Sequence, residues 1–267
     1  MKKILIALMA LAGVAAAETI VFDFGRTDEA AYKTSGAIVI GSGKDPYKTA
    51  ITSSGTLGSI TGSYTYTQAD SGGYSSTYSN SATLATTEEN GRWKNHLTAM
   101  PTGWESTFAD GLTSQWNGST GNTHTLTLTK LAGGYYDFSI LGGYYGDDVL
   151  CSSITLTISG TGVDMSNTTW ATYDIAGAQG SSTQGVATFK TTLTNGSADE
   201  GYTYDVSTIY VAEGASLTLT LTGDTVNGHR TPLNGLKMTY TVPEPTTATL
   251  SLLALAGLAT RRRRRQA

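Results

Sequence analysis

The run Thr125-Leu126-Thr127-Leu128-Thr129 alternates strictly between a β-branched alcohol and an aliphatic side chain. Ile154–Ile158 and Leu217–Thr222 repeat the pattern. A period of two puts Leu and Ile on one face of an extended chain and Thr on the other. Thr branching favours strands, and its hydroxyl suits the wet face. Turn signals follow two of these runs, Ser159-Gly160 and Gly223-Asp224. Further strand candidates are Thr19–Phe24, Ala37–Ile40, Tyr64–Thr67, Tyr135–Leu141, Trp170–Ile175, Val186–Leu193, Tyr204–Val211 and Leu236–Val242. Outside the two ends no long stretch keeps a helical apolar spacing. The expected architecture is all-β, an antiparallel β-sandwich of jelly-roll type. An all-parallel sheet would need crossover helices that the sequence does not show. Thr123–Lys130, Gly133-Gly134 and Tyr135–Leu141 read as a hairpin, and Gly142–Asp148 as a loop before the next strand.

Composition narrows the class of partner. The 46 Thr and 25 Ser, 32 Gly and only 14% charged residues fit a β-rich extracellular chain. The formal net charge of −4 is a composite. Lys2, Lys3 and Arg261–Arg265 sit at the ends, which leaves ten basic residues against twenty acidic ones in residues 18–242, near −10. A nucleic-acid binder needs a basic stripe, so that partner is excluded. Cys151 is the single cysteine, so the body carries no internal disulfide, and the apolar context reads it as a small core residue.

The ends read as addresses. Residues 1–17 combine Lys2 and Lys3, an apolar Ile4–Val14 and the small-residue site Ala15-Ala16-Ala17, which predicts a signal peptide and its helix, cut before Glu18 by signal peptidase. The apolar run is too short to span a bilayer of ~30 Å. At the other end, sixteen uncharged residues, Pro245–Thr260, carry a Leu/Ala-rich centre and precede Arg261, Arg262, Arg263, Arg264 and Arg265. A short hydrophobic helix closed by a basic block stops in the inner membrane with Arg on the cytoplasmic side. The predicted organisation is signal peptide 1–17, body 18–242 and tail 243–267.

Pro243-Glu244-Pro245, the apolar helix and the Arg cluster resemble the PEP-CTERM sorting signal of Gram-negative bacteria. The resemblance implies recognition by an exosortase, a membrane cysteine protease/transpeptidase. It implies cleavage near Pro243–Pro245 after transient anchoring, and delivery to the outer surface or the exopolysaccharide matrix. The same tail is also labelled an ice-binding-protein C-terminal domain, a label that carries no information about ice. In the body, Val21-Phe22-Asp23-Phe24-Gly25 and Leu233-Asn234-Gly235-Leu236-Lys237-Met238-Thr239-Tyr240 resemble the edges of galactose-binding-like jelly-roll modules.

Catalytic motifs are missing from the sequence. His96, His124 and His229 have no zinc-ligand spacing, and no Gly-x-Ser-x-Gly elbow activates a serine. The doublets Glu88/Glu89 and Asp147/Asp148 point to opposite faces of an extended chain, so neither is an acid/base pair. No cofactor is expected; Asp147, Asp148 and Asp224 are the candidates for a structural Ca²⁺, without an Asp-x-Asp-x-Asp-Gly loop. Thr-x-Thr runs do not imply an ice face, because a twisted half-buried strand already requires them.

The candidate ligand site is aromatic. Tyr144, Tyr145, Asp147 and Asp148 share a predicted loop, and Trp93, Trp104 and Trp116 lie in the Gly/Ser/Thr-rich stretch 42–122. Sugar rings stack on aromatic faces while carboxylates accept from their hydroxyls, so such loops suit a glycan. Taken singly, each aromatic reads first as a packing residue with a polar tip. Residues 42–122 are expected as decorated loops and extra strands on one sandwich, with a helical turn near Asn90–Leu97. The expected function is a non-enzymatic, glycan-binding surface or matrix protein. A secreted carbohydrate-active enzyme and a purely structural matrix component are the alternatives.

Overall fold

The computed structural model describes residues 17–26, 34–42, 52–68, 76–78, 100–109, 111–115, 122–144, 151, 153–174, 181–183, 186–190, 200–226 and 229–242. Nearly all of them are extended. The strands are β1 (Ala17–Arg26), β2 (Ile38–Ser42), β3 (Thr52–Thr56), β4 (Ser63–Gln68), β5 (Ser76–Tyr78), β6 (Gly111–Gln115), β7 (Thr123–Thr129) and β8 (Gly134–Tyr144). They continue with β9 (Ser153–Asp164), β10 (Thr169–Asp174), β11 (Ser181–Thr183), β12 (Val186–Lys190), β13 (Glu200–Gly223), β14 (Arg230–Leu233) and β15 (Gly235–Thr241). Every strand candidate read from alternation overlaps one of them, with Ile175 and residues 191–193 of two candidates outside the described residues. Ser106–Ala109 forms a 3₁₀ turn, and no longer helix occurs among the described residues. Both end segments, the signal helix and the hydrophobic tail helix fall outside those residues, as does the turn expected at Asn90–Leu97.

Twelve strands form one continuous sheet, ordered β11-β12-β9-β13-β8-β15-β1-β2, with β10 on β13 and β3-β4-β7 also joined to β13. The 24-residue β13 is the hinge of this arrangement. Its first half, Glu200–Val211, pairs with β8, and Tyr202–Ser207 pairs with β10. Its second half, Leu217–Thr222, pairs with β7, while Ser216–Gly223 pairs with β9. Between the halves the register with β9 shifts from Val211 to Ser216, and Gly214 takes φ 74. The left-handed φ suits a residue without Cβ, and the bend sends the two halves in different directions.

Three expectations change here. β7 and β8 are not a hairpin: both run antiparallel to the same strand, one after the other. Gly133-Gly134 therefore marks a corner, not a reversal. There Leu131 N–H donates to Ala215 O at 3.1 Å, Gly214 N–H to Leu131 O at 2.8 Å, and Gly133 N–H to the Glu213 carboxylate at 2.7 Å. The pairing is also not wholly antiparallel, since β1 and β2 run parallel with Phe22 opposite Ile38. The connection between them is long enough to return the chain to its starting end. β9 likewise runs on through Ser159-Gly160 to Asp164, where a turn was expected.

Folding of the large sheet brings β1 against β4. Phe22 meets Tyr64 edge-on at 5.4 Å, and Phe24 meets Tyr66 at 5.1 Å. Leu126 and Leu128, Ile154, Leu156 and Ile158, and Leu217, Leu219 and Leu221 are all buried with them, as the alternation requires. Burial of this kind stabilises by about 1.5–3 kcal/mol per large side chain. From the uncertain stretch 42–122, β3 and β4 extend the large sheet. β5 and β6 form a small antiparallel sheet with β14. By contacts the chain divides into a body, Glu18–Tyr240, and a second unit of residues 1–17 with 241–267.

Candidate functional site

Of the seven aromatic and acidic residues read as a glycan site, Trp93, Trp116, Tyr145, Asp147 and Asp148 lie outside the described residues. Tyr144 closes β8, its backbone opposite Glu200. Trp104 is placed in full and is a packing residue. Its ring meets Phe108 edge-on at 5.0 Å, and Lys237 Nζ sits 4.5 Å above it. Lys237 also donates to Gly103 O. Together with Met100, Val21 and Leu141, Trp104 and Phe108 form a second small apolar cluster. With one face under a cation and an edge on Phe108, Trp104 is not an open stacking platform. Ala17 opens β1 and is exposed.

The open aromatic surface lies elsewhere, on the outward face of β8 and the first half of β13. Tyr136, Phe138 and Ile140 point into the core, so Tyr135, Asp137 and Ser139 point out. Tyr135 stands directly opposite Tyr210, their rings edge-to-face at 5.5 Å. At 41% and 40% exposure they are the most exposed aromatic side chains described. Asp164 of β9 is the next residue in the same row, opposite Tyr210. Two steps along, Ser139 faces Asp205 and donates to its carboxylate at 2.6 Å.

A β-bulge separates these rows. The register skips from Val206 to Ile209, and Thr208 takes φ 66, an outlier for a β-branched residue. Asp137 Oδ1 accepts the Thr208 N–H at 2.7 Å, and the Thr168 hydroxyl donates to Thr208 O at 3.3 Å. The extra residue shifts the phase of β13. Tyr202, Tyr204 and Val206 are buried before it and Ile209 and Val211 after it, so Tyr210 is turned out to solvent.

Other reactive side chains have fixed partners, two of them in the interior. Cys151 is fully buried; its sulfur accepts from Asn122 Nδ2 at 2.8 Å, and burial pushes the thiol up to about 12. The core reading of Cys151 holds, although its neighbours are polar. His124 is buried between Tyr66 OH at 2.8 Å and Thr231 O at 2.7 Å, and burial lowers it to about 4. Its neutral ring uses one nitrogen to donate to Thr231 O and the other to accept from Tyr66. His229 Nδ1 bonds both Asp224 oxygens, at 2.9 and 3.0 Å.

Asp23 is also buried. Its Oδ2 accepts the Thr34 N–H at 2.6 Å, its Oδ1 has no partner among the described residues, and desolvation raises it to about 6. The two motifs that resemble module edges meet at this point, since Phe24 N–H donates to Asn234 O at 2.9 Å. Buried Asn234 in turn accepts the Gly143 N–H at 2.9 Å.

Among the described residues there is no cluster of three or more His, Cys, Asp or Glu placed to hold a metal ion. Among them, too, no helix is long and apolar enough to cross a membrane. No protein-family model matches the chain, and no curated protein matches it. Among solved structures it is similar to the enzymatically active domain of bacteriophage CBA120 tailspike protein 4. That match has 7% identity and a TM-score of 0.24, over 55% of this chain and 17% of the tailspike chain. The chain thus spans about a sixth of that protein's length, and a likeness this slight carries no argument about fold or activity.

Proposed function

We propose that this is an exported cell-surface or exopolysaccharide-matrix protein, sorted by an exosortase through its PEP-CTERM-like tail. Its body is a jelly-roll sandwich that binds glycan without turning it over. The observation that carries the binding reading is the outward Tyr135–Tyr210 pair, with Asp137, Asp164, Asp205 and Ser139 on the same face. Aromatic rings offer the apolar surface a sugar stacks on, and the carboxylates accept from its hydroxyls. The bend of β13 between its β8-paired and β7-paired halves, with β1 meeting β4 across the core, supports the sandwich reading. Cys151 and His124 are buried and engaged with fixed partners, which favours binding over catalysis.

Two experiments test the proposal. Calorimetry and a glycan array on residues 18–242 should find a polysaccharide ligand whose affinity falls at least about tenfold in Tyr210→Ala; no binding to any glycan sinks the lectin reading. Deleting Arg261–Arg265 should leave the precursor uncut or misplaced, and unchanged surface display would refute the sorting reading.

A further inference from the structure

The charge around the tyrosine pair narrows the ligand class, an inference that rests on the glycan reading above. The outward positions are Tyr135, Asp137 and Ser139 on β8, Asp205, Ser207, Thr208 and Tyr210 on β13, Thr169 and Ala171 on β10, and Asp164 on β9. Three of these ten are Asp and none is Lys or Arg; on the adjoining strand β15 the cation Lys237 shares this face, its Nζ taken up by Gly103 O and the Trp104 ring. Each Asp uses one oxygen locally: Asp137 for Thr208 N–H, Asp205 for the Ser139 hydroxyl and Asp164 for Ser166 N–H at 2.9 Å. These bonds hold each carboxylate in place. From Tyr135 to Ser139 the patch runs about 13 Å along β8, with acids on both sides of the two rings.

We infer that the ligand is a cationic amino-sugar polymer, a hexosamine chain with free amino groups. Such a sugar presents an apolar C–H face to Tyr135 and Tyr210 and an ammonium to Asp164 or Asp205. The ammonium is also attracted to the tyrosine ring faces. An N-acetylated chain has the same ring but no charge, so it gains nothing from the three carboxylates. A uronate chain meets like charge at each row and is repelled. The acidic balance of the body, ten basic against twenty acidic residues, works in the same direction at longer range.

The test uses the full chain in mild detergent and three oligosaccharides of equal length: fully de-N-acetylated glucosamine, its fully N-acetylated counterpart, and an oligouronate. The glucosamine oligomer should bind about three- to tenfold more tightly than the acetylated one, as two exposed charge pairs allow. The oligouronate should not bind. Raising salt from about 0.05 M to about 0.5 M should remove most of that preference. Asp164→Asn with Asp205→Asn should equalise the two hexosamine oligomers, and Tyr210→Ala should abolish binding of both, with the thermal midpoint unchanged as the check on folding. Equal affinity for both hexosamine oligomers in the parent chain, independent of salt, overturns the charge inference and leaves the glycan reading standing. A glucosamine preference that survives Asp164→Asn with Asp205→Asn, or binding that survives Tyr210→Ala, also overturns it, since the ligand would then sit elsewhere. Failure of all three oligomers, and of neutral glycans on the array, removes the glycan reading itself.

Discussion

Asp23 and His124 are both buried, and they titrate in opposite directions. Burial raises Asp23 from 3.8 to about 6. Between these values the folded state binds more protons than the unfolded one, so stability falls as pH rises through the interval. Above it the ionised, half-partnered carboxylate costs about 3 kcal/mol. His124 falls from 6.5 to about 4. There the unfolded state binds more protons, so stability is lost as pH falls from 6.5 towards 4, again by about 3 kcal/mol. The two slopes largely offset each other between pH 4 and 6. Asp23→Asn removes one of them. In urea denaturation it should match the parent near pH 4 and exceed it by about 3 kcal/mol above pH 7; a difference that does not vary with pH would show that Asp23 titrates as an ordinary carboxylate.

At the scale of elements, β13 decides what faces solvent. Read as one straight strand, Tyr204–Val211 places Tyr204, Val206, Thr208 and Tyr210 on a single face. The bulge at Thr208 breaks that set and exposes Tyr210. Thr208→Gly should therefore raise stability by about 1 kcal/mol, because it keeps φ 66 without a β-branched side chain. Asp137→Ala should lower it by about 1–2 kcal/mol, because the Thr208 N–H loses its acceptor. Paired denaturation curves with opposite shifts are the expected outcome. Gly142→Ala is a harsher probe. Its Cβ would stand 2.3 Å from both Pro232 O and the buried Tyr202 ring, and a loss of about 3 kcal/mol or more should follow.

The Leu-Thr runs were legible as strands because burial on one face imposes a period of two. The tyrosine pair was not. Tyr135 and Tyr210 sit inside strands, each beside a buried Tyr or Ile. They meet only through a pairing that spans 75 residues and a bulge that carries no sequence mark. The hairpin was misread for a related reason. Gly133-Gly134 marks a bend, and a bend along one partner reads locally like a reversal onto a new one. Trp104 was legible as an aromatic in a loop, but Lys237, 133 residues away in sequence, is what closes its face.

At the scale of the molecule, few pairings are local. β1 lies beside β15, and Thr19 Oγ1 meets Thr239 Oγ1 at 3.1 Å across 220 residues of sequence. Long-range pairing of this kind folds slowly, in milliseconds to seconds for a β domain. Ending the chain after Asn234 removes β15 and should abolish cooperative unfolding, measured by calorimetry, because β1 and β8 then lose the strand between them. The adjacency of β1 and β15 also sets an order of events. A chain that threads through a narrow conduit with its amino end leading delivers β1 first, its neighbour β2 next and its other neighbour β15 last. On the proposed export route the β8-β15-β1 join could close only after that final strand had passed, so this part of the sheet would set on arrival.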